Sequence, residues 1–255
     1  MNALTKLLEQ KKKDLLSVYF TAGFPQRDST VPILKALEGA GVDFAEVGMP
    51  FSDPLADGPV IQHSSSRAIG NGMDVGTMLE QISGAGVNMP LVLMGYLNPV
   101  LQFGVADFCR RAGEAGAAGV ILPDLPPEVY ASDYKSLFEE NGLHHIFLLT
   151  PTTSENRIRM IDELSTSFIY AVSASSVTGN KSGDQQEKRA YLERLRDMHL
   201  RHPFLVGFGI QDHASLSLAQ AYGAGAIVGT AFIRALEENE SEELAVRALF
   251  DKLGV

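Results

Sequence analysis

Short apolar runs recur along the whole chain, separated by segments with helical spacing. The runs are 15–20, 42–48, 91–96, 118–123, 144–150, 167–173, 204–209 and 226–230. Most are continuously apolar. A strand covered on one face alternates apolar with polar residues, whereas a strand covered on both faces does not. The runs therefore predict buried strands of a parallel sheet. Between them, Val105, Phe108, Cys109 and Ala112 follow the i, i+3, i+4, i+7 spacing of one helix face. Ile158, Ile161 and Leu164 repeat every third residue, with Thr152 and Glu155 placed as a capping box ahead of them. Asp212 is positioned to cap a helix that carries Leu216, Ala219 and Tyr222. Gly-Ala-Gly at 39–41, 84–86 and 223–225 would end helices, because glycine accepts a left-handed conformation.

Eight strand runs in strict alternation with eight helices, over 255 residues, favour closure into a (β/α)8 barrel over an open doubly wound sheet. No linker or low-complexity stretch interrupts the pattern, so residues 1–255 are expected to form a single barrel domain. The first sixteen residues, MNALTKLLEQKKKDLL, read as an extra amphipathic helix ahead of the first strand, not as a secretion signal.

Composition narrows the function. The net charge is −10, and the only basic run, Lys11 to Lys13, reads as a solvated helix end; a nucleic-acid partner is not expected. The same charge repels an anionic substrate at long range, so a bound phosphate must be held by local groups. No apolar run approaches the roughly 18 residues of a membrane span. The single cysteine, Cys109, rules out an intrachain disulfide and sits on an apolar stripe as a core residue. The histidines show no metal-ligand spacing, and the adjacent His144 and His145 would face opposite sides of a strand. A cytoplasmic protein without a metal is expected.

In such a barrel, chemistry collects where strands end and the following loops begin. The second strand run delivers Glu46, flanked by Phe44, Ala45 and Val47. A carboxyl group in apolar surroundings loses hydration, which raises its pKa toward the range of a general acid/base. The next loop, SDPLADG at 52–58, adds Asp53 and Asp57 within a segment shaped by proline and glycine. The sixth run delivers Tyr170. A long polar loop, 176–189, follows it. After the seventh and eighth runs come GFGI at 207–210 and GTA at 229–231. These read as a phosphate cradle of glycine amides, the Thr230 hydroxyl and a helix N-terminus.

AEVGMPFSDPLADGP at 45–59 is very similar to the signature of the tryptophan synthase alpha chain family. FTAGFP at 20–25, DLPPE at 124–128, SVTG at 176–179, GFGI and AIVGTA at 226–231 match further family segments in order. The resemblance covers essentially the whole chain. It implies retro-aldol cleavage of indole-3-glycerol phosphate to indole and glyceraldehyde 3-phosphate, the last stage of tryptophan biosynthesis, without a cofactor on this chain. It implies Glu46 as general acid/base and Asp57 as the carboxylate facing the indole nitrogen. Tyr170 and Thr178 would position the substrate, and Gly179, Gly209, Gly229 and Thr230 would bind its phosphate. Tyr19, Met94, Ile121, Phe208 and Ile227 would wall the indole ring. The implied partner is a beta subunit carrying pyridoxal phosphate in an α2β2 complex, with Pro50 and Asp53 near the contact. The chain departs from the family's common pattern at SASSVTG (173–179), where many relatives have an arginine near Ala174, and at Thr230, where serine is common. A related barrel that closes the indole ring needs strand-end lysines, and no strand run here contains a lysine. A catalytically silent barrel acting as a binding subunit is the alternative; it would be expected to have lost Glu46 or Asp57.

Overall fold

The computed structural model of the chain describes residues 2–172, 181–207 and 209–255. Its strands are β1 (Leu15–Thr21), β2 (Phe44–Gly48), β3 (Leu91–Met94), β4 (Ala117–Ile121), β5 (His144–His145), β6 (Leu148–Leu149), β7 (Ile169–Val172), β8 (Phe204–Gly207) and β9 (Gly225–Val228). All pairings are parallel, in the order β5-β4-β3-β2-β1-β9-β8-β7-β6. The two outermost strands are halves of one run, the fifth of the sequence. The Ile146 amide donates to the Val120 carbonyl of β4 (3.0 Å), while the Phe147 carbonyl accepts from the Tyr170 amide of β7 (2.9 Å). One segment thus pairs with both neighbours and closes the ring. The hand-over from β4 to β7 within that segment fits the stagger a tilted barrel needs.

Side chains alternate between two cores. On β2, Phe44 joins an interior cluster with Leu15, Val92, Ile121, Ile146, Phe168, Tyr170, Leu205 and Ile227. Ala45 and Val47 join the larger layer between the sheet and the surrounding helices. Parity then turns Glu46 inward with Phe44. On β1, Leu15 faces the interior, and Leu16, Val18 and Phe20 face the helices. Both layers exclude water, which is why the runs read as continuously apolar.

The expected N-terminal helix is Ala3–Gln10. It closes one end of the barrel: Leu4 is fully buried in the interior cluster, with Leu7 and Leu8 packed against it. Asn2 caps the helix by accepting from the Leu4 and Thr5 amides. The Asn2 amide also donates to the carbonyls of Ala118 (2.5 Å) and Gly142 (2.9 Å), which ties the plug to the sheet. Lys11 departs from the expected solvated end, because its ammonium pairs with Asp43 at 2.7 Å; Lys12 and Lys13 are exposed.

Other expectations hold or shift for local reasons. The stripe Phe108, Cys109, Ala112 is buried on helix Val105–Glu114. Burial pushes the Cys109 thiol up to about 12, as suits a core residue. Asp212 caps its helix and forms a capping box with Ser215. Thr152 does not cap helix Glu155–Leu164; Ser154 does, accepting from the Arg157 amide. The Thr152 hydroxyl is engaged with that of Thr150 at 3.0 Å, so the turn is completed before the helix starts. Gly41 and Gly86 take positive φ after their helices, as expected. Gly223 is extended, and Gly225 lies in β9, where a side chain would strike the Leu15 carbonyl. Strict alternation also fails: two helices separate β2 from β3, two separate β3 from β4, and two follow β9.

Candidate active site

Glu46 is fully buried inside the ring, level with Tyr19 of β1 and Val92 of β3. Among the described residues, neither of its carboxylate oxygens has a hydrogen-bond partner. A buried charge without a partner is costly, so the neutral acid is favoured. Burial pushes its pKa up to about 8. A proton is therefore available from this position at neutral pH.

Asp57 reaches the same region from the loop after β2. The Tyr96 hydroxyl donates to Asp57 Oδ2 at 2.9 Å and accepts from the Ala56 amide at 2.9 Å. Tyr96 thereby clamps loop and carboxylate together, and its ring packs 5.3 Å from that of Phe51. Gln62 adds a bond to the Asp57 carbonyl at 2.9 Å. The loop ends where Gly58 and Pro59 open helix Pro59–Gly70, with proline at a first-turn position that lacks an amide bond anyway. Burial raises the Asp57 pKa, and the Tyr96 hydrogen bond pulls the other way. The two carboxyls thus differ: Glu46 is dry and unpartnered, while Asp57 is half-buried and hydrogen-bonded.

Tyr170, buried on β7, feels Glu46, Tyr19 and Asp57 together; its hydroxyl is held well above the usual range, first by burial and then by these groups. The Tyr19 hydroxyl is likewise raised by burial and by Asp57, against a 3.4 Å contact with Thr21 that lowers it. Both rings need room: a side chain at Gly48 would strike the Tyr19 ring, and one at Gly207 would strike Tyr170. Ile121 and Ile227 are buried in the interior cluster with Tyr170, and Met94 packs against it. Tyr19, Met94, Ile121, Tyr170 and Ile227 are thus gathered inside one end of the barrel.

Gly209 follows β8 with φ +76°, and Gly229 follows β9 as the N-cap of helix Thr230–Glu238. No side chain caps that helix, whose first amides are left without helical partners. Thr230 is exposed beside them. Thr178, Gly179 and Phe208 lie outside the described residues. On the outer side of the loop, Asp53 is exposed and Leu55 is 92% exposed, whereas Pro50 is buried. Sequence reasoning missed Tyr96. The signal was a hydroxyl-bearing aromatic two residues beyond the end of β3, at the rim that carries the loop.

The profile of the family described as "Tryptophan synthase alpha chain" matches residues 5–252. The chain belongs to the tryptophan synthase alpha chain family. The alpha chain of Christiangramia forsetii is 51% identical over 241 residues, covering 94% of each chain. That of Bacteroides thetaiotaomicron is 46% identical, covering 99% of this chain and all of the other. The crystal structure of the alpha subunit from Legionella pneumophila superposes with a TM-score of 0.88 at 35% identity, covering 99% and 97% of the two chains. Tryptophan synthase from M. tuberculosis in an aminoacrylate-bound form gives 0.85 at 31%, covering 99% and 98%. As a member of this family the chain is a lyase of tryptophan biosynthesis that cleaves indole-3-glycerol phosphate, and its barrel is the family's.

Proposed function

We propose that Glu46 and Asp57 divide the proton chemistry of that cleavage. The observation that carries this is the contrast between a dry, unpartnered Glu46 and a Tyr96-held Asp57. Groups whose surroundings push their pKa values apart suit acid and base roles. The indole ring lies among Tyr19, Met94, Ile121, Phe208, Tyr170 and Ile227, with its N–H toward Asp57. Protonated Glu46 delivers its proton to C3 of the ring, and Asp57 stabilises the cation that forms on the nitrogen. The bond from C3 to the glycerol carbon then breaks, and its electrons restore the aromatic ring. The hydroxyl on that carbon becomes the aldehyde and returns a proton to Glu46. Proton balance is closed, and glyceraldehyde 3-phosphate and indole leave.

The phosphate is held at Gly179, Gly209, Gly229 and Thr230, with Thr178 and Tyr170 positioning the substrate. The step asks only proton transfers of this chain; pyridoxal phosphate belongs to the beta subunit, the partner in an α2β2 complex that receives indole. The exposed tip at Asp53 and Leu55 is the surface offered to that partner. On this reading residues 1–255 act as one barrel domain in the cytoplasm. A silent binding subunit is disfavoured because both carboxyls are present.

The test is indole release from indole-3-glycerol phosphate by the wild type and Glu46→Gln, with and without a matching beta subunit. Release that disappears in Glu46→Gln and accelerates with the beta subunit is expected. No release from folded wild type under any condition would support the silent subunit instead.

A further inference from the structure

Helix Lys181–Asp197 packs on the barrel through Tyr191, Leu192 and Leu195, all at least 96% buried. The Tyr191 hydroxyl donates to the Leu149 carbonyl of β6 at 2.9 Å, which fixes the helix on the sheet. Counting back along that stripe by i−3, i−4 and i−7 leads to Lys188, where an apolar residue would be the regular choice. Lys188 is half-buried, while Gln186, Glu187, Arg189 and Ala190 around it are exposed. It is thus turned inward, one helical turn nearer the loop end of the barrel than Tyr191. Its ammonium nitrogen arrives at Gly209: a methyl group placed there would lie 3.2 Å from it. Among the described residues, no carboxylate forms an ion pair with Lys188. A half-buried cation with no anionic partner among the described residues is aimed at a glycine of the phosphate cradle, in a chain of net charge −10.

We propose that Lys188 is a phosphate-binding residue, its ammonium pairing with the substrate phosphate between Gly209 and the N-terminus of helix Thr230–Glu238. This rests on the reading of the site given above. The cradle otherwise offers amide dipoles and one hydroxyl, and Lys188 supplies the compensating charge. A lysine can also lie along an apolar surface merely to bury its stem. Lys188→Met separates the two roles, because it keeps the stem and removes the charge.

The experiment measures cleavage of indole-3-glycerol phosphate, and calorimetric binding of glycerol 3-phosphate, for wild type, Lys188→Met and Lys188→Arg. A lost charge-assisted hydrogen bond predicts that Lys188→Met raises KM and the Kd of glycerol 3-phosphate about tenfold or more, with kcat changed less than about threefold. Lys188→Arg is expected to restore most of the affinity. Unchanged KM and Kd in Lys188→Met, with wild type active, would overturn the role of Lys188 and leave the function standing. Inactive wild type would count against the function itself; the glycerol 3-phosphate arm would still decide whether Lys188 holds a phosphate.

Discussion

At one end of the barrel, helix Ala3–Gln10 drives Leu4 into the interior, and Asn2 satisfies two carbonyls of neighbouring segments. At the other end, Glu46 stands in the same interior with both oxygens unsatisfied among the described residues. The same strands run through both ends, so the difference lies in which residue each strand points inward. Where β2 offers Phe44, ring packing follows, 5.4 Å from Phe168. Where it offers Glu46, two positions on, a destabilising group is retained. One end is built for stability, and the other carries a cost that the role proposed for Glu46 would explain.

The largest test of that contrast is Glu46→Gln. Loss of a general acid/base is expected to slow cleavage by about 10²–10⁴-fold. The same substitution should stabilise the fold. The folded pKa of about 8 lies above the unfolded value of 4.5, so the folded state binds the extra proton between them. Stability of the wild type therefore falls as pH rises from about 4.5 to about 8 and is level above that. Denaturant titrations at pH 5 and pH 9 should show Glu46→Gln gaining about 2–4 kcal/mol on wild type at the higher pH only. Equal stability at both would show that Glu46 is not held neutral. The wild-type rate should also decline above about pH 8 as Glu46 loses its proton.

At the opposite end, Leu4→Ala is expected to lower stability by about 2–5 kcal/mol through an unfilled cavity. KM should stay within a factor of about two, since the plug is remote from the carboxyls; a large KM change would mean that the two ends are coupled. Tyr96→Phe tests a positioning residue. It removes the hydrogen bond that lowers the Asp57 pKa, so that pKa should rise and the acid limb of the rate profile should move to higher pH. A drop in kcat of about tenfold is expected, with stability changed by about 1 kcal/mol. An unmoved acid limb would remove Tyr96 from the site. The smallest effect belongs to Asn2→Ala, about 1 kcal/mol from the lost cap, measured by thermal unfolding.

The barrel was legible because both faces of each strand are dry, which writes continuous apolar runs. The split of the fifth run was not, since His144–Leu149 looks uniform in sequence while its pairing changes partner midway. The paired helices after β2 and β3 were also hidden. Helix Pro59–Gly70 buries Ser64 and Ser65, which blur its apolar stripe; the Ser64 hydroxyl bonds Thr21 at 2.7 Å inside the fold. Glu46 and Asp57 stood out as acids in an apolar strand and a shaped loop. Tyr96 and Lys188 did not, because their roles depend on which loop and which glycine they reach. His145 shows the limit of burial as a signal. It too is buried, with no hydrogen-bond partner among the described residues, and is pushed down to about 3 by burial, but it stacks 4.5 Å from Tyr130 on the helix side of the sheet, in the layer opposite the two carboxyls.

The inward turn of Glu46 has a further consequence. Its direction is set by the pairing of Ser17 with Phe44 and of Tyr19 with Glu46. A slip by one residue would exchange every inward and outward side chain of β2. Glu46 would then be driven into the helix-facing layer and Val47 into the ring. No well-packed yet misregistered barrel can therefore keep its core and lose only its acid. The arrangement works as a parity check: a chain that passes the test of packing has already delivered its carboxyl to the right side.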